Sequence, residues 1–312
     1  MKTLYNGLIS AAMKRYRVPD WIAPYIYRYA KQSDLFTIRR AINFINVRRK
    51  KGVLTGRQVR LPNGVTFDIK TVSHILNQFY YGVDAEARIS EGWSAEYTDY
   101  DHANFTKHYK ELAELRRKHA RALKNMIEGL GHKIDGPSKG VERVFNTIAE
   151  LDEWPDRLIA TEIILRDSYA RPFGFIFYKV FYPVSPEFMR SLGKLFAKKD
   201  DGYSWAESEI RRVVGEGALT SEHIIGLAER ILAEIYRSIE SEMPLARRSK
   251  VEAETMLLRD VSVAYPLHTL KELGVELDID AEMRKIARIG KKGGRRGGRP
   301  EQTRNKAQRK MI

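Results

Sequence analysis

A single serine in a glycine-rich segment is the residue of this sequence best suited to act as a nucleophile. Residues 131–140 read Gly-His-Lys-Ile-Asp-Gly-Pro-Ser-Lys-Gly, and Ser138 carries the only hydroxyl among them. The three glycines and Pro137 interrupt the helical pattern on either side, which predicts a flexible loop between two helices. Such a loop would present the Ser138 hydroxyl to a reactant held by another molecule. The alternative is an ordinary connection between helices whose serine faces solvent.

The side chains of this sequence give little support for a metal site or a cofactor site. The sequence has no cysteine and no G-x-x-x-x-G-K-[ST] phosphate loop. A di-iron helical bundle needs two Glu-x-x-His pairs. None of the seven histidines has Glu three residues earlier, and only Asp99 stands at that distance, before His102. We expect Glu114, Glu162 and Glu229 to be surface or interhelical charges, and we predict no catalytic residue, no metal and no cofactor belonging to this chain.

Positive charge is concentrated at the two ends of the sequence. The 312 residues carry a net charge of +15, of which residues 1–70 contribute +12 and residues 284–312 contribute +11. The stretch between them, 71–283, therefore carries −8. Two basic segments around an acidic body are typical of a protein that binds a polyanion through its ends. The predicted nucleic-acid-binding residues are Arg39, Arg40, Arg48, Arg49, Lys50, Lys51, Arg57, Arg60, Lys291, Lys292, Arg295, Arg296 and Arg299.

The basic C-terminal segment has a pattern of its own. Arginines separated by glycines can follow phosphates or enter a narrow minor groove, because glycine lets the backbone approach closely. Here Gly297 and Gly298 separate Arg296 from Arg299, which departs from the spacing of a minor-groove hook. We expect a disordered polybasic tail that contacts phosphates without sequence preference.

The spacing of apolar residues predicts a mostly helical, all-α fold. Residues 57–68 instead predict one small β-hairpin around the Asn63-Gly64 turn. Trp21 and Tyr25 lie at helical spacing in the basic N-terminal region and are predicted to be core residues, with stacking on bases as the alternative. The predicted helices span about 2–16, 20–31, 33–51, 70–81, 103–130, 141–151, 155–169, 186–199, 204–214, 220–242 and 250–258.

This pattern suggests four parts. We predict a basic DNA-binding region at 1–81, a connector at 82–102, an acidic helical body at 103–283 that docks a partner, and the disordered tail at 284–312. The most apolar run, 173–182, is about half as long as a membrane-spanning helix and contains Lys179. No signal-peptide pattern is found, so we expect a soluble intracellular protein without membrane contact.

The layout from the long helix onward resembles a known family. It comprises Asn125-Met-Ile-Glu-Gly-Leu130, the loop to Gly140, the helix from Val141 to Leu151, and Trp154-Pro-Asp156 before a further helix. This order is similar to the priming region of the terminal proteins that start replication of linear phage genomes. In that family the priming hydroxyl lies on a loop between helices, and a basic N-terminal DNA-binding region accompanies an acidic priming region. The resemblance covers about half of the chain; the basic tail and the helices beyond residue 170 are not part of it.

The resemblance implies a viral DNA-binding protein that serves as a protein primer in DNA replication and is not an enzyme. Ser138 would be the priming hydroxyl, and a family-B DNA polymerase would supply the Mg²⁺ and form the covalent protein–DNA linkage. The expected location is the cytoplasm, at the host nucleoid and at the genome ends. The alternative is a non-covalent nucleic-acid-binding component of an architectural, packaging or ribonucleoprotein kind. The third hypothesis is an enzyme with a carboxylate metal site within 100–240.

Overall fold

The described part of the chain is mostly helical, which confirms the predicted fold class. The computed structural model describes residues 19–30, 53–55, 58–60, 66–96, 102–129, 131–170, 201–248 and 252–293, and the structural statements below concern these ranges. A 3-10 turn, Asp20–Ile22, precedes the first helix. The helices are α1 Ala23–Ala30, α2 Ile69–Glu96, α3 Ala103–Gly129, α4 Lys139–Ala149, α5 Trp154–Ile159 continuing as the π-helix Ala160–Ala170, α6 Asp201–Gly215, α7 Ser221–Ser241, α8 Met243–Arg248, α9 Glu252–Glu272 and α10 Ile279–Gly293.

Helix α7 lies at the centre of the main core and packs against α4, α5, α9 and α10. Thr220 caps its first turn, because the threonine hydroxyl accepts a hydrogen bond from the His223 backbone N–H at 3.2 Å. The helix is apolar around much of its circumference, as a helix with neighbours on several sides must be. Its buried apolar residues are Ile224, Leu227, Ala228, Ile231, Leu232, Ala233, Ile235, Tyr236 and Ile239.

Helices α2 and α3 pack against each other and close one side of the core. The Trp93 ring meets the Tyr109 ring edge-on, with centroids 5.2 Å apart. Because α2 runs unbroken to Glu96, residues 82–96 are helical, which corrects the connector predicted at 82–102 and the helix end predicted at 81. The acidic composition of this stretch hid a buried face formed by Ala87, Ser90 and Trp93.

The N-terminal turn and α1 pack on α9 in a second, smaller core. Ile22 and Tyr25 are buried there against Leu257 and Val261. The Trp21 ring stacks on the His268 ring, with centroids 4.0 Å apart. The prediction that these aromatic residues belong to the core is therefore confirmed for Tyr25, whereas Trp21 is half-buried and packs against the edge of this core. The described part of the basic region, 19–30, is attached to the helical body.

Three short strands precede α2. They are β1 Val53–Thr55, β2 Gln58–Arg60 and β3 Thr66–Asp68, paired antiparallel in the order β1-β2-β3. Val59 lies opposite both Leu54 and Phe67. The predicted turn at 62–64 lies outside the described residues, so the hairpin built on an Asn-Gly turn remains a prediction. The predicted helices at 2–16, 33–51 and 186–199 also lie outside them.

Helix α5 departs from regular α geometry, and α9, like α2, is longer than predicted. Helix α5 changes to π geometry at Ala160 and keeps it to Ala170. Turns of π-helix are rare in proteins, and those that occur are often found at functional sites. Helix α9 continues through Pro266 to Glu272, whereas the predicted helix ended at 258. Proline disfavours a helix interior, but Val263, Leu267 and Leu270 are buried in the main core, and this packing stabilises the extra turns.

The sequence pattern placed a disordered tail from residue 284, and this boundary needs correction. Helix α10 extends to Gly293. Ile286 is fully buried in the main core, and Gly290 lies against the Tyr236 ring. The polar composition of 284–293 concealed this narrow buried stripe. Residues 294–312 lie outside the described ranges.

The close approach of α4 to α7 depends on one glycine. A β-carbon built on Gly140 would lie 2.6 Å from Ser238 Oγ and 2.8 Å from Ser238 Cα, distances at which side-chain rotation cannot remove the clash with the backbone. By contrast, a β-carbon on Gly226 in α7 meets no atom within 4 Å. No described helix is long and apolar enough to cross a membrane.

These two glycines provide a matched test of the packing. We expect Gly140→Ala to lower the free energy of unfolding by about 1–3 kcal/mol, the usual cost of overfilling a packed interface. Gly226→Ala should raise it by about 1 kcal/mol, because alanine is the better helix former. Urea unfolding followed by circular dichroism measures both. Equal stabilisation by the two substitutions would contradict the close contact at Ser238.

Candidate functional site

The segment 131–138 joins α3 to α4 and carries the predicted nucleophile. Gly131 begins it with φ of 77°, a left-handed conformation that glycine adopts without strain. Ser138 ends it in an extended conformation as the N-cap of α4, with φ of −67° and ψ of 149°. The Ser138 hydroxyl accepts a hydrogen bond from the Val141 backbone N–H at 3.3 Å. This serine therefore stabilises the first turn of the helix that follows it.

Helix α2 holds the segment in place. The Asn77 side-chain amide donates to the Asp135 carbonyl at 3.0 Å, and the Asp135 N–H donates to Asn77 Oδ1 at 3.2 Å. The Ser138 N–H donates to Gln78 Oε1 at 2.8 Å. Three hydrogen bonds thus attach the segment to α2, whereas the glycines had predicted a flexible loop. Ser138 is half-buried. Of the glycines that suggested mobility, Gly131 permits the turn and Gly140 permits the close approach of α4 to α7.

The position of Ser138 favours negative charge on its oxygen. The unpaired N–H groups at a helix N-terminus and the positive end of the helix dipole attract anions, phosphates included. Lys139, the next residue, is exposed. An oxygen at this N-cap is thus a better site for a developing anion or a bound phosphate than the same hydroxyl in a featureless loop.

Residues 136–140, Gly-Pro-Ser-Lys-Gly, also match the G-x-S-x-G pattern of serine hydrolases, which the sequence reasoning missed. That motif places its serine on a strained turn between a strand and a helix, activated by a histidine. Here residues 132–138 contain no strand, and the backbone of Ser138 is relaxed. The Ser138 hydroxyl accepts from the Val141 N–H, its N–H donates to Gln78 Oε1, and its carbonyl accepts from the Glu142 N–H. None of these partner groups can act as a base. The match therefore does not indicate acyl transfer.

Most predicted phosphate-binding residues lie outside the described ranges. Arg60 lies in β2, while Lys291 and Lys292 lie in the last turn of α10. Lys291 is exposed. The preceding residue, Gly290, is fixed to α7, since its carbonyl accepts a hydrogen bond from Arg237 Nε at 3.2 Å. The residues outside the described ranges are Arg39, Arg40, Arg48, Arg49, Lys50, Lys51, Arg57, Arg295, Arg296 and Arg299.

The sequence reasoning missed a group of buried charges between α2, α3 and α5. His108 Nε2 lies 3.0 Å from Glu162 Oε1, and both side chains are less than a tenth exposed. Arg116 Nε donates to Glu86 Oε2 at 2.7 Å. We expected Glu162 to be either a surface charge or an interhelical charge. It is an interhelical charge, because its side chain is buried and contacts His108 of α3. The spacing of His108 and Arg116 on either side of Leu112, along the apolar stripe of α3, was the signal that could have revealed them.

The pKa values of the two carboxylates in this group are shifted in opposite directions. For Glu162, burial favours the neutral acid, but the hydrogen bond from His108 and the nearby cations outweigh it and lower its pKa. For Glu86, burial dominates over Arg116 and raises its pKa. These pairs bridge helices, and within the described ranges no cluster of three or more His, Asp or Glu side chains is arranged to hold a metal ion.

The capping role of Ser138 is testable by substitution. We expect Ser138→Ala to lower the free energy of unfolding by about 1 kcal/mol, because the N-cap acceptor is removed. Ser138→Asn should remain close to wild type, since asparagine is as good an N-cap as serine. Chemical denaturation of the three proteins side by side measures this. An alanine variant as stable as the wild type would show that the hydrogen bond to Val141 contributes nothing.

Comparisons of the whole chain with protein-family models, with curated proteins and with solved structures found no match for this chain.

Proposed function

We propose that this chain is a DNA-binding protein that serves as the protein primer for replication of a linear genome. The observation that carries the proposal is the division of charge into +12, −8 and +11 along the sequence. A basic segment at each end provides phosphate contacts, and the acidic helical body between them offers a surface to a separate basic partner. Attraction to phosphates is independent of base sequence, so the proposed binding is non-specific.

In the proposed reaction Ser138 takes the place of a primer terminus. The Ser138 hydroxyl gives up its proton to the polymerase site and its Oγ attacks the α-phosphorus of the first deoxynucleotide. Pyrophosphate leaves, and a phosphodiester joins the serine to the new 5′ end. The partner, a family-B DNA polymerase, supplies the Mg²⁺ that neutralises the phosphates. This chain supplies the nucleophile and its position at the positive end of α4, where a phosphate is stabilised. It is consumed as a substrate and is not an enzyme.

A specific observation favours the second candidate, a non-covalent nucleic-acid-binding component of a packaging, architectural or ribonucleoprotein assembly. Ser138 is half-buried, and both its N–H and its hydroxyl oxygen are engaged in hydrogen bonds. A serine with this role is explained by helix capping alone. The basic ends would bind nucleic acid in the same way under either proposal.

The contribution of the C-terminal segment is measurable from salt dependence. Residues 294–312 contain seven Lys and Arg residues and one Glu. Deleting them, while leaving α10 intact, should weaken duplex binding and make the plot of log affinity against log salt less steep, by about 0.9 for each phosphate that these residues neutralise. A full-length control with these seven residues changed to Gln should behave like the deletion. Unchanged affinity and slope in both proteins would exclude these residues from binding.

The priming reaction is tested with variants that separate the hydroxyl from the cap. Wild-type protein incubated with its partner polymerase, Mg²⁺ and a labelled deoxynucleotide should gain a label that survives boiling in detergent. Ser138→Thr should retain some label, because it keeps a hydroxyl and a capping oxygen. Ser138→Asn should lose it, because asparagine caps the helix but offers no nucleophile.

The controls distinguish the remaining outcomes. DNA affinity should be the same for all three proteins, which shows that loss of label is not loss of binding. Label retained by Ser138→Asn would assign the reaction to another hydroxyl. Wild-type protein that binds DNA but gains no label with an active polymerase would leave the non-covalent component as the function.

A further inference from the structure

A partly open cavity of about 100 Å³ lies between α2, α3, α4 and α5. Most of its wall is apolar and comes from Phe79, Val83, Val141, Phe145 and Leu165. Gly82 also lines it, and a methyl group there would lie 3.4 Å from the Phe145 ring. A closed apolar cavity of about 150 Å³ binds benzene. A partly open cavity of this size can therefore accept one ring whose substituents reach towards the opening.

A buried carboxylate belongs to the polar part of the wall, which also includes Gln78, Arg116, Arg166 and Tyr169. Glu86 is 8% exposed, and its Oε2 accepts a hydrogen bond from Arg116 Nε. Its Oε1 is buried and has no hydrogen-bond partner within the described part of the chain. Burial raises the pKa of Glu86, so the ionised carboxylate would gain from a further donor. Buried polar atoms are normally hydrogen-bonded, and one that is not calls for a bound molecule or water.

The cavity adjoins the candidate site. Gln78 and Val141, which line it, also form hydrogen bonds with Ser138. Arg116 already balances the negative charge of Glu86. A ligand for this cavity therefore needs a neutral donor and an apolar body, not a second positive charge.

We propose that the cavity binds a single planar ring that bears one neutral N–H or O–H donor. The ring contacts Phe79, Phe145 and Leu165, and the donor meets Glu86 Oε1 after rotation about the soft terminal torsion of the glutamate. Two sources share this chemistry: a free aromatic amine or phenol, and an unstacked nucleobase with its exocyclic amino group. The inference holds whether or not Ser138 acts in priming.

Binding is measured by saturation-transfer NMR on the full-length protein without nucleic acid, using aniline and toluene as probes. The two molecules have the same ring and differ in the donor. We expect aniline to bind about threefold to tenfold more tightly, which corresponds to one net hydrogen bond. Failure of both probes to bind would overturn the cavity as a ligand site. Equal affinities would overturn the role of Glu86.

Two alanine variants of α2 locate the site. Both Gly82→Ala and Gly92→Ala should gain helix stability, so both should fold. The methyl at residue 82 enters the cavity, whereas a methyl at residue 92 meets nothing within 4 Å. We expect Gly82→Ala to weaken aniline binding by about fourfold, the equivalent of one buried methylene, and Gly92→Ala to leave it unchanged. Equal effects would place the ligand elsewhere.

Deoxycytidine distinguishes the two sources. Competition between deoxycytidine and aniline that is weakened in Gly82→Ala and unchanged in Gly92→Ala would assign the cavity to a nucleobase. Aniline binding that deoxycytidine does not displace would assign it to a free small molecule. Both results support the cavity as a ring-binding site. Neither depends on covalent labelling at Ser138, so failure of the priming proposal is recognised separately.

Discussion

Residues four positions apart lie one above another on an α-helix, and α2 uses one such row to hold four parts of the molecule. His74 contacts Glu242 beyond the end of α7, at 3.0 Å. Gln78 accepts the hydrogen bond from the N-cap of α4, Gly82 leaves room for the Phe145 ring, and Glu86 pairs with Arg116 of α3. These contacts depend on α2 being one unbroken helix of 28 residues. A bend within it would displace the candidate site, the cavity wall and the ion pair together.

The buried charges make this packing selective. The free energy needed to remove two charges from water exceeds the free energy of their attraction, unless the geometry is good and the remaining polar atoms are hydrogen-bonded. The pairs Glu86–Arg116 and His108–Glu162 therefore contribute little net stability, but each strongly disfavours arrangements that bury one member alone. Together they specify how α2, α3 and the π-helical part of α5 fit together. Glu86 Oε1 is the atom of these two pairs that is buried without a hydrogen-bond partner, and Glu86 lies in the wall of the cavity.

Capping and priming are compatible demands on Ser138. A serine joined to a nucleotide keeps an oxygen at the N-cap and adds phosphate oxygens beside the N-terminal N–H groups of α4, where anions are favoured. The proposed modification would therefore strengthen the electrostatics of the first turn and need not unfold it. The half-buried position of the hydroxyl has a different consequence: a polymerase would have to reach it from the solvent side, because α2 covers the other.

The sequence alone determined the helical class and the segregation of charge. Both follow from local or additive quantities: residue spacing of 3.6 reveals a helix, and net charge is a sum over residues. It also identified Ser138 as the residue that carries the hydroxyl of its segment.

Tertiary structure decided that this hydroxyl caps α4, that 82–96 continues α2, and that 284–293 belongs to α10. Each of these depends on a partner distant in sequence, such as Gln78 for Ser138, or Tyr236 for Gly290. The composition of a segment does not reveal such partners. A polar segment with a narrow buried stripe can have the same composition as a fully solvated one, and only the helix packed against it distinguishes the two.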